Sequence, residues 1–169
     1  YRGVGRDVTE RRRSERELAA AKERLELALE GSNASLWDTD LRTGKVYLSE
    51  GWAEFQGLPR APTATTIDEL MQGVHPQDLP RAVKLSVEVV KGERADYAEE
   101  HRYRTAEGGW KWLLSRGKVN ERDAEGRAVR MTGINIDITG RKRAEQAVHE
   151  AEERYRSLIE LAPDAVVVY

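Results

Sequence analysis

Apolar residues recur along this chain with two different periods. Near each end they are spaced by four and three: Ser14, Leu18, Ala21, Leu25 and Ala28 in one run, and Ala144, Val148, Ala151, Tyr155, Leu158 and Ala162 in the other. This is the a/d period of a heptad and predicts two long helices. The seam is weak, because alanine and serine hold several of its positions, and it suits a helix that packs in more than one way. An amphipathic helix folded onto its own domain would carry the same stripe. Leu18, Ala21, Leu25, Val148, Ala151, Tyr155 and Leu158 are therefore candidates either for a dimerising coiled coil or for intramolecular packing.

Between the helices the pattern shortens. Ala34–Leu41 and Lys45–Ser49 read as a hairpin turned at Arg42-Thr43-Gly44,. Short helices follow over 50–57, carrying Trp52 and Phe55, and over 67–72, with a loop over 60–66 between them. After His75-Pro76-Gln77-Asp78, Asp78 is placed to cap a helix that has Pro80 in its first turn and ends at Gly92. Leu79, Val83, Val87 and Val90 form its expected buried face. Asp96–Arg104 and Trp110–Asn120 read as a hairpin turned at Glu107-Gly108-Gly109, and Ala128–Ile138 as a last strand, apolar on both parities and hence covered on both faces. Two strands, three helices and three strands predict an α+β domain with one antiparallel sheet and its helices on one face.

The chain also repeats itself. Residues 2–30 and 132–160 align at an offset of 130 without a gap, and ten of the 29 positions are identical, including Gly3/Gly133, Asp7/Asp137, Thr9/Thr139 and Arg11/Arg141,. The expected organisation is the end of a preceding unit over 1–9, a linker helix over 10–31, one whole domain over 32–139, a C-terminal helix over 140–161 and the start of a following unit over 162–169. Thr9 and Thr139 each follow an apolar strand end (Val8, Ile138) and are placed to cap a helix. The cations at 11–13 and 141–143 lie in first helical turns, where the macrodipole disfavours them. They call for carboxylate partners, Asp7 and Asp137 being nearest in sequence.

Composition narrows the function. Lys+Arg of 28 against Asp+Glu of 30 leaves a net charge of −2, which offers no basis for nucleic-acid binding. The absence of cysteine removes disulfides, thiolate metal sites and a cysteinyl adduct with flavin. No apolar run is long enough to span a membrane, and a cytoplasmic location is expected, with a membrane anchor elsewhere in the parent protein left open. His75, His101 and His149 show no metal-ligand spacing, and Asp38 and Asp40 read as turn residues. No catalytic set is visible, so the fragment is expected to be regulatory and not an enzyme. Trp37, Trp52, Phe55, Tyr103, Trp110 and Trp112 either fill the core or wall a pocket.

Taken together, several short motifs resemble the PAS domains of bacterial sensory-box proteins. They are Trp37-Asp38-Thr39-Asp40, Gly44-x-Val46-Tyr47-x-Ser49, Trp52, His75-Pro76-x-Asp78, Glu100-His101-Arg102, Glu107-Gly108-x-Trp110 and, as the C-terminal PAC motif, Gly133-x-x-x-Asp137-Ile138-Thr139. Gly3-x-x-x-Asp7-Val8-Thr9 and the run from Arg154 to Ala165 resemble the end and the start of neighbouring PAS units. His101 stands where the family usually has an aromatic such as tyrosine, and Glu107 where aspartate is commoner. The resemblance implies a five-stranded antiparallel sheet in the order 2-1-5-4-3 with helices on one face, flanked by signalling helices. It also implies a small pocket between the sheet and helix 79–91, for which Trp37, Trp52, Phe55, Val83, Val87, Tyr103 and Trp112 are the candidates. Haem is disfavoured, since residues 79–91 contain no histidine; the identity of any cofactor is open, none included. The expected function is signal relay within a histidine kinase or cyclic-di-nucleotide enzyme, working as a homodimer through the flanking helices. Asp137, Thr139 and Arg141 would carry the signal from the last strand into the helix. A ligand-free spacer and dimerisation module is the alternative.

Overall fold

The computed structural model describes residues Val4–Leu161. Helix α1 (Val4–Gly31) leads to strands β1 (Ala34–Asp40) and β2 (Lys45–Leu48). Helix α2 (Gly51–Phe55), strand β3 (Thr63–Thr66), helix α3 (Ile67–Gln72) and helix α4 (Leu79–Lys91) follow. Strands β4 (Asp96–Arg104), β5 (Trp110–Arg122) and β6 (Ala128–Asp137) complete the sheet, and helix α5 (Thr139–Leu161) ends the described chain.

The sheet is antiparallel, in the order β3-β2-β1-β6-β5-β4. It therefore has six strands and not the expected five: the predicted order is preserved, and β3 adds to the free edge of β2, where the pattern predicts a loop. Residues 63–66 read Thr-Ala-Thr-Thr, and β-branched threonines suit a half-exposed edge. They pair Lys45↔Thr66 through Leu48↔Thr63. Thr66 then opens α3 with a capping box: its hydroxyl accepts from Glu69 N–H, and the Glu69 carboxylate accepts from Thr66 N–H,. At the opposite edge, the loop after α3 covers β4, with His75 N–H donating to Arg102 O at 2.9 Å and Arg104 N–H to Gly73 O at 2.8 Å,.

The ends of the chain correct two further expectations. Val8 and Thr9 lie inside α1, so Val8 does not end a strand and Thr9 does not cap a helix. A strand needs a partner for its backbone groups; none lies beside Val8 among the described residues, and a helix satisfies those groups locally. The side chain of Asp7, the expected start of a following unit over 162–169, and Ala162 lie outside the described residues. The cations of the first helix find partners one turn on, Arg11 with Glu15 at 3.1 Å and Arg13 with Glu17 at 2.9 Å. Leu18, Leu25, Val148, Tyr155 and Leu158 are all at least half exposed, and Ala21 and Ala151 are exposed as well. The heptad faces of α1 and α5 are therefore not folded onto the domain.

Alternation along the strands places Trp37, Val46, Leu48, Tyr97, Tyr103, Leu113 and Met131 on the inner face. There they pack with Trp52, Phe55, Val74, Leu85 and Val89 from the helical side. The face α4 buries is Ala82, Leu85 and Val89. Val83 and Val87, expected to face the core, are each 43% exposed. Two apolar stripes run along this helix one residue out of phase, and period alone does not choose between them. Asp78, expected to cap this helix, makes no side-chain cap bond and instead accepts from Arg102 of β4.

Candidate functional site

The inner face of the sheet and helices α2 to α4 enclose a cavity of about 130 Å³. Its walls are mainly apolar, with Trp37, Trp52, Tyr103, Leu113 and Met131 among them, and include Thr39, Ser86, His101, Ser115 and Asn135. Glycines set the two large rings. Trp37 lies across the paired Gly117 and Gly133, where a Cβ on either would meet the indole, and Tyr103 lies against Gly73 in the same way. Trp52 stacks on Phe55 at 5.3 Å and meets Tyr103 edge-on at 4.8 Å,.

Trp37, Trp52 and Tyr103 thus line the cavity as the resemblance implies, and Phe55 stands behind Trp52. Val83, Val87 and Trp112 do not line it. Trp112 projects from the outer face of β5, because its parity is opposite to that of Leu113. Lys142 Nζ sits 5.0 Å from the Trp112 ring centroid and the Arg102 guanidinium 5.5 Å away,. Trp110, also outward, is 45% exposed and meets His75 edge-on.

The sequence reading missed His101 as a cavity residue. Its lack of metal-ligand spacing left it without a role, yet it lines the cavity from β4 and is only 6% exposed. Burial, reinforced by the Arg81 charge and opposed by Asp78, pushes its pKa down to about 4, so the imidazole is neutral near pH 7. Two polar atoms of the cavity side chains, Trp37 Nε1 and His101 Nδ1, are buried without a hydrogen-bond partner. The departure of residue 101 from the family's usual aromatic was the available signal.

Glu100 and Arg102, flanking His101, point to the outer face. Arg102 grips Asp78 with Nε at 2.9 Å and Nη2 at 2.8 Å, and Arg102 N–H donates to the same carboxylate at 2.9 Å. This holds the Asp78 pKa at about 2,. Glu100 accepts from Arg141 at 2.5 Å and pairs with Lys142 at 2.7 Å, in the first turn of α5. These contacts lower the Glu100 pKa, Lys142 contributing first.

The junction between β6 and α5 is built differently from expectation. Thr139 does not cap the helix with its hydroxyl, which instead accepts from Trp112 N–H at 3.0 Å. Asp137 does the capping, its carboxylate accepting from Thr139 N–H at 2.9 Å. It pairs with Lys111 at 3.8 Å and not with the cations of 141–143, whose partners are Glu100 and Glu145 for both Arg141 and Lys142. Lys111 also donates to the Phe55 carbonyl at 2.8 Å, tying α2 to the same corner. Asp40 closes its turn by accepting from Arg42 N–H at 2.8 Å, and Asp38 pairs with Arg130, so both aspartates have structural partners. Among the described residues no group of acidic residues or histidines is placed to hold a metal ion, and no helix is long and apolar enough to cross a membrane.

Comparison with known proteins agrees with this architecture. The profile of the PAS fold family matches residues 45–135. A crystal structure of a sensory box histidine kinase/response regulator from Burkholderia thailandensis superposes with a TM-score of 0.67 at 32% identity, covering 79% of this chain and 98% of that one. The two-component sensor PprA of Pseudomonas aeruginosa is 30% identical over 99% of this chain, which spans only 18% of the length of that protein. The sensor protein FixL of Bradyrhizobium diazoefficiens is 26% identical over 86% of this chain and 28% of its own length. With more than half its length under the family profile and a solved relative matched almost end to end, the chain belongs to the PAS family.

Proposed function

We propose that this PAS domain is a sensory relay that converts a change in its cavity into a change in the packing of α5. The observation that carries the reading is the triplet Glu100-His101-Arg102 on β4. Its middle residue lines the cavity, and the first holds the start of α5 through Arg141 and Lys142. A strand that alternates sides is a short mechanical link between the two. The Glu100 ion pairs are partly exposed, and such pairs contribute roughly 0–1 kcal/mol each. A latch of that strength is set to shift between two packings and not to lock one. Asp137, Thr139 and Arg141 serve as the joint, Trp112 as the platform on which Lys142 rests.

The similarity to sensor kinases supports a histidine-kinase parent. The exposed heptad faces of α1 and α5 support a homodimer through those helices. Replacing Leu25 and Leu158 together by aspartate is expected to weaken self-association at least tenfold in analytical ultracentrifugation without changing the far-ultraviolet dichroism of the sheet. Unchanged association would remove the coiled-coil reading.

The relay is tested with Glu100→Gln. The variant should keep its melting temperature within a few degrees, while amide exchange over residues 139–145 accelerates several-fold and output from the full-length parent protein changes. Exchange and output both at wild-type values would sink the relay and leave a spacer.

A further inference from the structure

The cavity's own chemistry narrows what it can take, an inference that rests on the sensory reading above. Among the described residues no Asp, Glu, Lys or Arg side chain lines the cavity. Glu99, a buried carboxylate on the inner face of β4, is already engaged by Arg81. A charged guest would lose its hydration with no counter-charge to replace it.

Trp37 Nε1 is only a donor, is buried and has no partner, and sits in a residue 8% exposed. Its ring cannot turn freely, because it is seated on Gly117 and Gly133. The group that satisfies it must be an acceptor. His101 Nδ1, likewise unpartnered, accepts or donates according to tautomer, so a carbonyl or a hydroxyl suits it equally. Trp37, Trp52 and Tyr103 are among the walls, and aromatic walls suit another flat ring. A volume of about 130 Å³ is room for on the order of ten non-hydrogen atoms, taking one water-sized sphere for each.

We propose that the cavity binds a small, uncharged aromatic compound carrying one hydrogen-bond acceptor, with its ring among Trp37, Trp52 and Tyr103 and its acceptor on the Trp37 indole N–H. Three near-isosteric probes separate the terms: acetophenone has ring and acceptor, cumene has the ring alone, and benzoate adds a charge.

In the purified chain with 15N-labelled tryptophan at pH 7, acetophenone is expected to shift the Trp37 indole resonance saturably and to raise the melting temperature. Cumene should bind about tenfold more weakly, the loss of one hydrogen bond, and benzoate at least a hundredfold more weakly. Trp37→Phe, which also assigns the resonance, should bring acetophenone and cumene to equal affinity. Should that variant not fold, the three-probe series on the wild-type chain decides alone. Benzoate binding as well as acetophenone, cumene equalling acetophenone, or no probe moving the Trp37 resonance up to its solubility limit would each overturn the assignment. Binding is read at Trp37 and relay at residues 139–145. Binding without altered exchange would therefore count against the relay, while altered exchange in Glu100→Gln without binding would count against this ligand class.

Discussion

Gly133→Ala is expected to destabilise the domain by more than about 3 kcal/mol, a drop in melting temperature of roughly 10 °C or more. Gly133 pairs with Gly117 at the centre of the sheet. A Cβ at Gly133 would fall on the Arg116 carbonyl oxygen and the Trp37 ring, and within 2.7 Å of the Gly117 Cα. Two of those three obstacles are backbone, so no side-chain rotation relieves them, and displacing the indole would empty one wall of the cavity. The repeat and the PAC motif both draw attention to Gly133, and the steric reason is this close approach. Gly140→Ala is the control. Nothing lies within 4 Å of a Cβ there, so alanine in the first turn of α5 is expected to leave stability unchanged or slightly raised. Thermal and urea unfolding of the two variants beside wild type check the pair; a Gly133→Ala protein as stable as wild type would show that the sheet relaxes around the contact.

The second large effect is a dependence of stability on pH between about 6.5 and 4, set by His101. The unfolded chain has an ordinary imidazole near 6.5, whereas burial holds the folded one at about 4. Above pH 6.5 the ring is neutral in both states and makes no difference. As pH falls toward 4 the unfolded chain takes up the proton that the folded chain refuses, and stability is lost, about 3 kcal/mol over the whole interval. The Asp78 charge limits the shift and that of Arg81 extends it. Asp78 itself, held at about 2 by Arg102, stays ionised throughout and adds its own loss only between about pH 4 and 2. Urea unfolding at pH 7 and pH 4.5 should show wild type losing about 2–3 kcal/mol and His101→Phe losing markedly less. Equal losses in both proteins would mean that His101 is hydrated when folded. A guest filling the cavity that His101 lines would alter the same window, so the profile with and without acetophenone is a further check on the cavity.

What could be read along the chain was whatever depends on neighbours close in sequence. Heptad spacing marked α1 and α5, and turn glycines marked the hairpins, Gly44 and Gly108 both having positive φ. The candidate site was only partly legible. Trp37, Trp52 and Tyr103 were found as aromatics, whereas Val83, Val87 and Trp112 were placed on the wrong side.

The sequence by itself determined the order and kind of nearly every element, the glycine at each tight place and the family, since these rest on local conformational preference and on motif spacing. Only the tertiary structure decided which stripe of α4 is buried, that 63–66 completes a sixth strand, that His101 faces the cavity, and that Glu100 rather than Asp137 holds the cations of α5. Each of those depends on a partner distant along the chain: β4 for α4 and α5, β2 for β3. Local pattern sets which residues share a face, and only the fold says what that face meets.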